Sequence, residues 1–132
     1  MTIEQAIYNI LGADASVTAL CPAARIKVPG DWQNLARPYI IHTASQIRPT
    51  RTHTGLVSLR EWDYQVNVIS ADYATGRALY EAIITALDGW HVGIHCSLDF
   101  GPVHIGGVRD GLEAEEFALT FKVTESLTTS PL

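Results

Sequence analysis

The sequence is poor in charge, in cysteine and in long apolar runs. Charged residues make up 17% of its 132 residues, and acidic residues outnumber basic ones, so the formal net charge is -5. This balance argues against the broad basic surface that nucleic-acid-binding domains usually present, although it leaves room for a local basic patch. No apolar run approaches the ~20 residues that a membrane-spanning helix needs, so we expect no span. The N-terminus, Met1-Thr2-Ile3-Glu4-Gln5, has neither a basic leader nor an apolar core, and we expect no secretory signal.

The chain has only two cysteines, and they lie far apart. Cys96 stands among apolar neighbours, and Cys21 is the other. Buried free thiols in a reducing compartment are the simplest interpretation. Hydrophobic residues account for 47% of the chain, enough to bury a core, and the length is that of one domain. We therefore expect one folding unit over residues 1–132.

Helical spacing is clear at the N-terminus. Thr2, followed three residues later by Gln5, forms a capping-box pattern ahead of apolar residues at helical spacing, which predicts a helix over Ile3 to Leu11. Asp14 can cap a second short turn that ends before Pro22. A brief strand is then predicted over Arg25 to Val28.

A second helix is predicted from Tyr73 to Leu87, with Asp72 as its cap and Gly89 closing it. Its polar side is predicted to carry Arg77, Glu81, Thr85 and Asp88. Alanines repeat every fourth residue and predict a line along which the helix approaches a sheet closely: Ala74, Ala78, Ala82 and Ala86.

Period-two alternation and β-branched residues predict four principal strands. They are Tyr39 to Ile47, Leu56 to Ser70, Trp90 to Leu98 and Leu112 to Thr124. A further, weaker strand is predicted over Val103 to Val108, followed by a tight hairpin turn at Asp110-Gly111. The pattern therefore predicts an α+β fold: an antiparallel β-sheet packed against one long helix, with an additional N-terminal helix and a protruding β-hairpin arm.

The arm is the connection between the first two of these strands. Residues from Arg48 to Gly55 are polar and predict a loop. Within the next strand the apolar parity changes, which requires a bulge or a change of environment near Arg60 and Glu61. The basic side chains of the arm are a candidate partner interface: Arg48, Arg51, His53 and Arg60. An acidic protein that concentrates positive charge here can use it on a negative partner, either protein or nucleic acid, although an ordinary solvated hairpin explains the same residues.

Candidate chemistry elsewhere is weak. His91 and His95 have a spacing of four, which suits a metal on a helix, but on a strand four residues span ~13 Å, too far for two ligands of one ion. Cys96 shares the parity of its apolar neighbours and is predicted to point into the core rather than act as a nucleophile. The acidic group Glu113, Glu115 and Glu116 fits a solvated strand entrance better than a cation site.

No sequence motif supports an enzyme. The chain contains no Gly-x-Ser-x-Gly elbow, and its glycines match neither a Walker sequence nor a dinucleotide fingerprint. We therefore predict no catalytic residue, no cofactor, no metal and no small-molecule substrate.

The order of features resembles a known family. The carrying segments are the N-terminal helix with Leu11 and Leu20, Arg25-Ile26, Pro38-Tyr39-Ile40-Ile41, Tyr64-Gln65-Val66-Asn67-Val68, the Asp72 to Leu87 helix, and the run from Phe117 to Val123. Together they resemble the tail completion, or tail terminator, proteins of long-tailed bacteriophages and related prophages. The resemblance covers nearly the whole chain, as a hydrophobic and length pattern without an invariant chemical motif.

The resemblance implies a structural protein of the virion tail that is assembled in the host cytoplasm. Such proteins form homo-oligomeric rings, most often hexamers, that cap the tail tube and meet the head-tail connector. The implied partners are further copies of the chain, the tail tube protein and connector proteins, with DNA contact only on the DNA passage. Two alternatives stay open: a head completion protein that contacts nucleic acid, and, more remotely, a small enzyme.

Overall fold

The computed structural model describes residues 2–30, 36–51, 57–109 and 112–126, without the side chains of 46–51, 57–59, 108–109, 112–113 and 126. Within these ranges, three α-helices and five strands follow one another in the order α1 (Ile3–Ala13), α2 (Ala15–Thr18), β1 (Ile26–Lys27), β2 (Tyr39–Arg51), β3 (Val57–Ser70), α3 (Tyr73–Leu87), β4 (His95–Arg109) and β5 (Leu112–Ser126), with one 3-10 turn, Ala23–Arg25, before β1. No helix in these ranges is long and apolar enough to cross a membrane.

The predicted helix caps are present. The Thr2 hydroxyl accepts a hydrogen bond from the Gln5 N–H at 3.1 Å, and the Asp14 carboxylate accepts one from the Val17 N–H at 3.0 Å. At α3, Asp72 accepts from the Thr75 N–H at 2.7 Å. These bonds satisfy N–H groups that have no partner within the helix, which explains why the helices begin where the sequence predicts.

Among the described residues, the sheet has five strands in the order β1-β2-β3-β5-β4. The α+β class is confirmed, but the sheet is mixed rather than antiparallel, because β1 pairs with β2 in parallel, Ile26 opposite Ile40. The three remaining pairs are antiparallel.

The helices pack on one face of this sheet. Ile7 and Leu11 of α1 and Leu79 and Ile83 of α3 are fully buried there. The facing strand residues include four that the sequence places on one side of β5, Phe117, Leu119, Phe121 and Val123. A second, smaller cluster lies on the opposite face and comprises Tyr39, Ile69 and Ala114 with Ile41.

The predicted alanine line of α3 faces the core only in its second half, where Ala82 and Ala86 are half-buried against it. Ala74 and Ala78 are exposed, and the buried residues are Gly76, Leu79, Ile83 and Leu87. A repeat of four residues drifts by about 40° around a helix at each step, so no such line stays on one face. The polar side is as predicted, with Arg77, Glu81, Thr85 and Asp88 all exposed.

The predicted strand from Trp90 to Leu98 was wrong in its first half, because β4 begins only at His95. Residues before it form a loop in which Gly93 has φ +81° and the Cys96 N–H donates to the Trp90 carbonyl at 2.9 Å. Val92 is consequently 68% exposed. The apolar and polar residues alternate before His95 as they would in a strand. The backbone nevertheless turns at Gly93, whose positive φ a strand does not have.

The weak strand predicted over Val103 to Val108 is the second half of β4, which runs on to Arg109. Arg109 pairs with Leu112, so β4 and β5 form a hairpin as predicted. The turn at Asp110-Gly111 lies outside the described residues, as does the tail from Thr128 to Leu132.

Candidate partner interface

The strands of the predicted arm are longer than the sequence indicates. Arg48 to Arg51, predicted as loop, belong to β2 and pair with β3, with Arg48 opposite Glu61 and Arg51 opposite Val57. The backbone pairing of β2 with β3 continues to Arg51, although the apolar alternation on which the prediction rested stops at Ile47. His53 lies outside the described residues, and so do the side chains of Arg48 and Arg51.

The parity change in β3 is a change of environment. Trp62 and Tyr64 belong to the helix-side core, whereas Arg60, on the same face, is exposed. The pairing of β3 with β5 continues without a shift through Arg60 and Glu61. Register shifts occur instead against β2, one at Ser45 and one between Thr50 and Arg51.

Arg60 is not a free charge. Its guanidinium lies 3.9 Å from the Glu125 carboxylate, which also accepts a hydrogen bond from the Trp62 indole N–H at 3.1 Å. Glu125 thus contacts both Trp62, the last core residue on the helix side of β3, and Arg60, the first exposed residue on that side. Because both side chains of the ion pair are partly open to solvent, which screens the charges, the pair contributes little to stability.

The opposite face of the same end also carries paired charges. Lys122 lies 3.7 Å from Glu61, and the Ser45 hydroxyl donates to the Asp63 carbonyl at 2.9 Å. The second contact holds the extra residue of β2 against β3. The described part of the β2–β3 hairpin is therefore a polar surface of mixed charge, held by ion pairs and hydrogen bonds between strands.

The other candidates from the sequence are separated. His91 and His95 are both exposed, the first in the loop and the second at the start of β4. Within the described residues no three ligand-type side chains come together as a metal site would require. Glu115 pairs with His104, while Glu116 accepts from the Asn67 amide at 2.7 Å, so these two glutamates diverge. The Glu113 side chain is outside the described set.

Both cysteines are buried and free, as predicted. Burial raises the pKa of Cys21 to about 11 and that of Cys96 to about 12. Both thiols therefore stay protonated near neutral pH, which opposes a nucleophilic role for Cys96.

A buried polar pair was missed by the sequence reasoning. His42 is 1% exposed, and its Nδ1 lies 2.6 Å from the Tyr64 hydroxyl beneath a pocket lined in part by Glu4 and Lys27. Burial lowers the pKa of His42 to about 4, with the Glu4 carboxylate acting in the opposite direction. His42 is thus neutral at pH 7. The sequence indicated its burial only through the two-residue spacing from Ile40, which places both side chains on the same face of β2.

An exposed apolar strip on β4 was also missed. Phe100 is 64% exposed, Ile105 46% and Val103 38%, and all three lie on the sheet face that is opposite the described helices. The register shift between Leu98 and Phe100 moves Phe100 onto this face. Strict alternation would place Phe100 on the same face as Leu98, toward the helices, and for this reason the sequence did not predict the strip.

The fold is thus an α+β domain with a mixed sheet, and its described surface carries an exposed apolar strip on β4 and a polar end of the β2–β3 pair. The family described as "Tail completion protein gp17" matches residues 5–103. The chain belongs to this family, which confirms the resemblance found in the sequence. Membership gives it a structural role in phage tail assembly.

Comparison with solved structures supports the fold. A chain of the "Virion of native gene transfer agent (GTA) particle" superposes with a TM-score of 0.73 at 20% sequence identity, and the match covers 94% of each chain. At this identity the likeness shows the fold alone. No curated protein sequence gives a significant match.

Proposed function

We propose that this protein is the ring-forming subunit that completes a phage tail. Copies of the chain, most often six, form a closed ring that caps the tail tube and presents its other side to the head-tail connector. The observation that carries the proposal is family membership across residues 5–103. The structural likeness to a chain of a virion particle supports a place in the assembled particle.

The chemistry of the described surface is consistent with this role. A ring subunit needs docking surfaces rather than a reactive group, and the described residues offer an exposed apolar strip and a polar strand end. The two buried thiols and the buried His42 serve the core. The protein acts without an enzymatic step, after assembly in the host cytoplasm.

The β2–β3 hairpin supplies a contact in this proposal. It projects toward a neighbouring subunit or the tail tube, and its basic residues engage an acidic surface there. The supporting observations are the sequence charges of Arg48, Arg51 and His53, and the exposed position of Arg60 beyond the last core residue, Trp62. Arg60 leaves Glu125 for the partner when the contact forms.

Purified particles test the role directly. We expect the protein in quantitative mass spectrometry of particles at a copy number that matches one ring per tail. Particles made without it should carry tails of uncontrolled length or tails that fail to join heads. One copy per tail, or normal particles in its absence, would refute the proposal.

Measurements of mass in solution and of DNA binding distinguish the ring-forming tail role from the alternative role in head completion. Native mass spectrometry, with and without tail tube protein, should show closed oligomers of a single size. Salt-dependent DNA binding without any such oligomer would favour the head completion role instead.

A further inference from the structure

An open groove lies between α1 and the loop that precedes β4. One wall is an apolar stripe of α1 at helical spacing, and the other is the loop itself, where the Trp90 indole N–H donates to the Val92 carbonyl at 2.8 Å and so holds the ring in place. Apolar concave surfaces of this kind mark places where another apolar group binds. The apolar side chains of the two walls are Ile3, Ala6 and Ile10 of α1 and Trp90 and Ile94 of the loop.

The groove consists of two hollows along α1. The first, about 270 Å³, reaches Ile3 and Glu125, and the second, about 290 Å³, reaches Ala13. Ile10 and Trp90 line both, so the hollows adjoin. Because a cavity of ~150 Å³ already holds a benzene ring, each hollow has room for a leucine side chain. Ile3 and Ala13 are ~15 Å apart along the helix, at about 1.5 Å per residue.

The end of β5 leads into the first hollow. Glu125 lines this hollow, and its carboxylate accepts a hydrogen bond from the indole N–H of Trp62, a residue packed on the helix-side core, at 3.1 Å. Val123 also faces that core, as expected from the alternation of side chains along a strand. The next residue of this parity is Leu127, which follows the described part of β5. A continued alternation therefore directs Leu127 toward the first hollow.

We propose that residues 127–132 of the same chain dock in this groove, with Leu127 in the first hollow and Leu132 in the second. In an extended chain the two leucines are ~17 Å apart, at about 3.3 Å per residue, which matches the ~15 Å between the ends of the groove. Pro131 favours an extended backbone at Ser130, the residue before it. The residues between the leucines are polar apart from this proline, so they can face solvent.

The position of Glu125 favours this chain's own segment over that of a second copy. Leu127 is two residues beyond a residue that already lines the groove, so the segment reaches it without a spanning linker. Such a short connection gives an effective concentration in the millimolar range, which a separate chain does not match in dilute solution. The docking is made within one chain and does not depend on the ring role.

Disulfide trapping tests the position of the segment. Leu132→Cys combined with Ala13→Cys, treated with diamide, should form a bond within one chain, seen by mass spectrometry as a monomer that has lost two hydrogens. The native thiols are buried and protonated, so they do not compete. Leu132→Cys with Arg77→Cys, on the exposed side of α3, is the matched control and should stay reduced.

Three outcomes of the trapping would overturn the proposal. Covalent dimers from the first pair would give the groove to the segment of a second copy. Equal oxidation of both pairs would show that the segment has no preferred position, and no oxidation of the first pair would place Leu132 away from Ala13.

Thermal melting gives an independent readout of the two leucines. Leu127→Asn with Leu132→Asn should lower the melting temperature by about 4 °C or more, because the variant loses the burial of two apolar side chains. Thr128→Asn with Ser130→Asn changes the polar residues of the same segment and should melt with the parent. Equal melting temperatures for the parent and both variants would show that the leucines are not buried in the groove.

Discussion

Gly76 of α3 lies directly over the ring of Phe117 in β5. A Cβ atom at Gly76 would stand 2.4 Å from Cε2 of Phe117 and 3.2 Å from Cβ of Ser70. The ring cannot move aside freely, because Tyr80, His104 and Tyr73 pack around it with centroids 5.0, 4.9 and 5.4 Å away. The missing side chain therefore sets the distance between α3 and the sheet.

Gly76→Ala should consequently destabilise the protein by roughly 1–3 kcal/mol, even though alanine favours helices, because overpacking forces the ring or the helix to shift. Gly12→Ala is the matched control in α1, where the added Cβ would meet its nearest atoms at ordinary distances of 3.8 and 3.9 Å. The control should be neutral or stabilising by up to about 1 kcal/mol. Urea unfolding measures both, and equal stabilities for the two variants would contradict the packing argument.

The buried His42 should make stability depend on pH. Its folded-state pKa is lowered from 6.5 to about 4, so the unfolded chain binds the proton more readily between these values. The contribution of His42 to the free energy of unfolding is fully present above pH 6.5 and is lost as the pH falls toward 4. At pH 5 the loss is roughly 2 kcal/mol. His42→Gln should flatten this dependence.

Urea unfolding of parent and variant at pH 7.5 and pH 5 measures the difference. His95→Gln, a substitution of an exposed histidine, is the matched control and should follow the parent curve. If His42→Gln loses as much stability on acidification as the parent, His42 is not the group responsible.

The charged end of the hairpin should matter for assembly and little for folding. Because the sequence predicts that both side chains are exposed, Arg48→Glu with Arg51→Glu should leave the free energy of unfolding within about 0.5 kcal/mol of the parent. Assembly should fail, because like charges that face each other across a contact can cost several kcal/mol.

Melting temperature, ring formation and rescue of infectious particles should be measured together for this double variant. Arg77→Glu, which reverses an exposed charge on α3, should assemble normally. Normal particle yield from the correctly folded hairpin variant would rule out an essential charged contact there.

The two native thiols should be unreactive in the folded protein. Both are buried with a raised pKa, so the thiolate is scarce and a reagent cannot reach it. Ellman's reagent at pH 8 should label both only after denaturation, whereas a Val92→Cys variant should show one fast thiol. Rapid labelling of the native parent would place Cys21 or Cys96 at the surface.

Sequence reasoning succeeded where a local physical signal decides the structure. Short side-chain oxygens at Thr2, Asp14 and Asp72 can satisfy open N–H groups wherever a helix starts, so the caps and α1 and α3 were predictable. The inward face of β5 followed from period-two alternation between neighbouring residues. The family resemblance also rested on such local patterns.

Tertiary packing decided what local patterns leave open. The parallel pairing of β1, the register shifts that turn Phe100 outward, and the loop that interrupts the alternation after Trp90 all depend on which strand lies alongside. Likewise, the sequence predicted alanines at the closest approach of α3, whereas the Phe117 ring selects Gly76. Contacts of this kind join residues distant in the chain, and periodicity within a segment carries no information about the partner it meets.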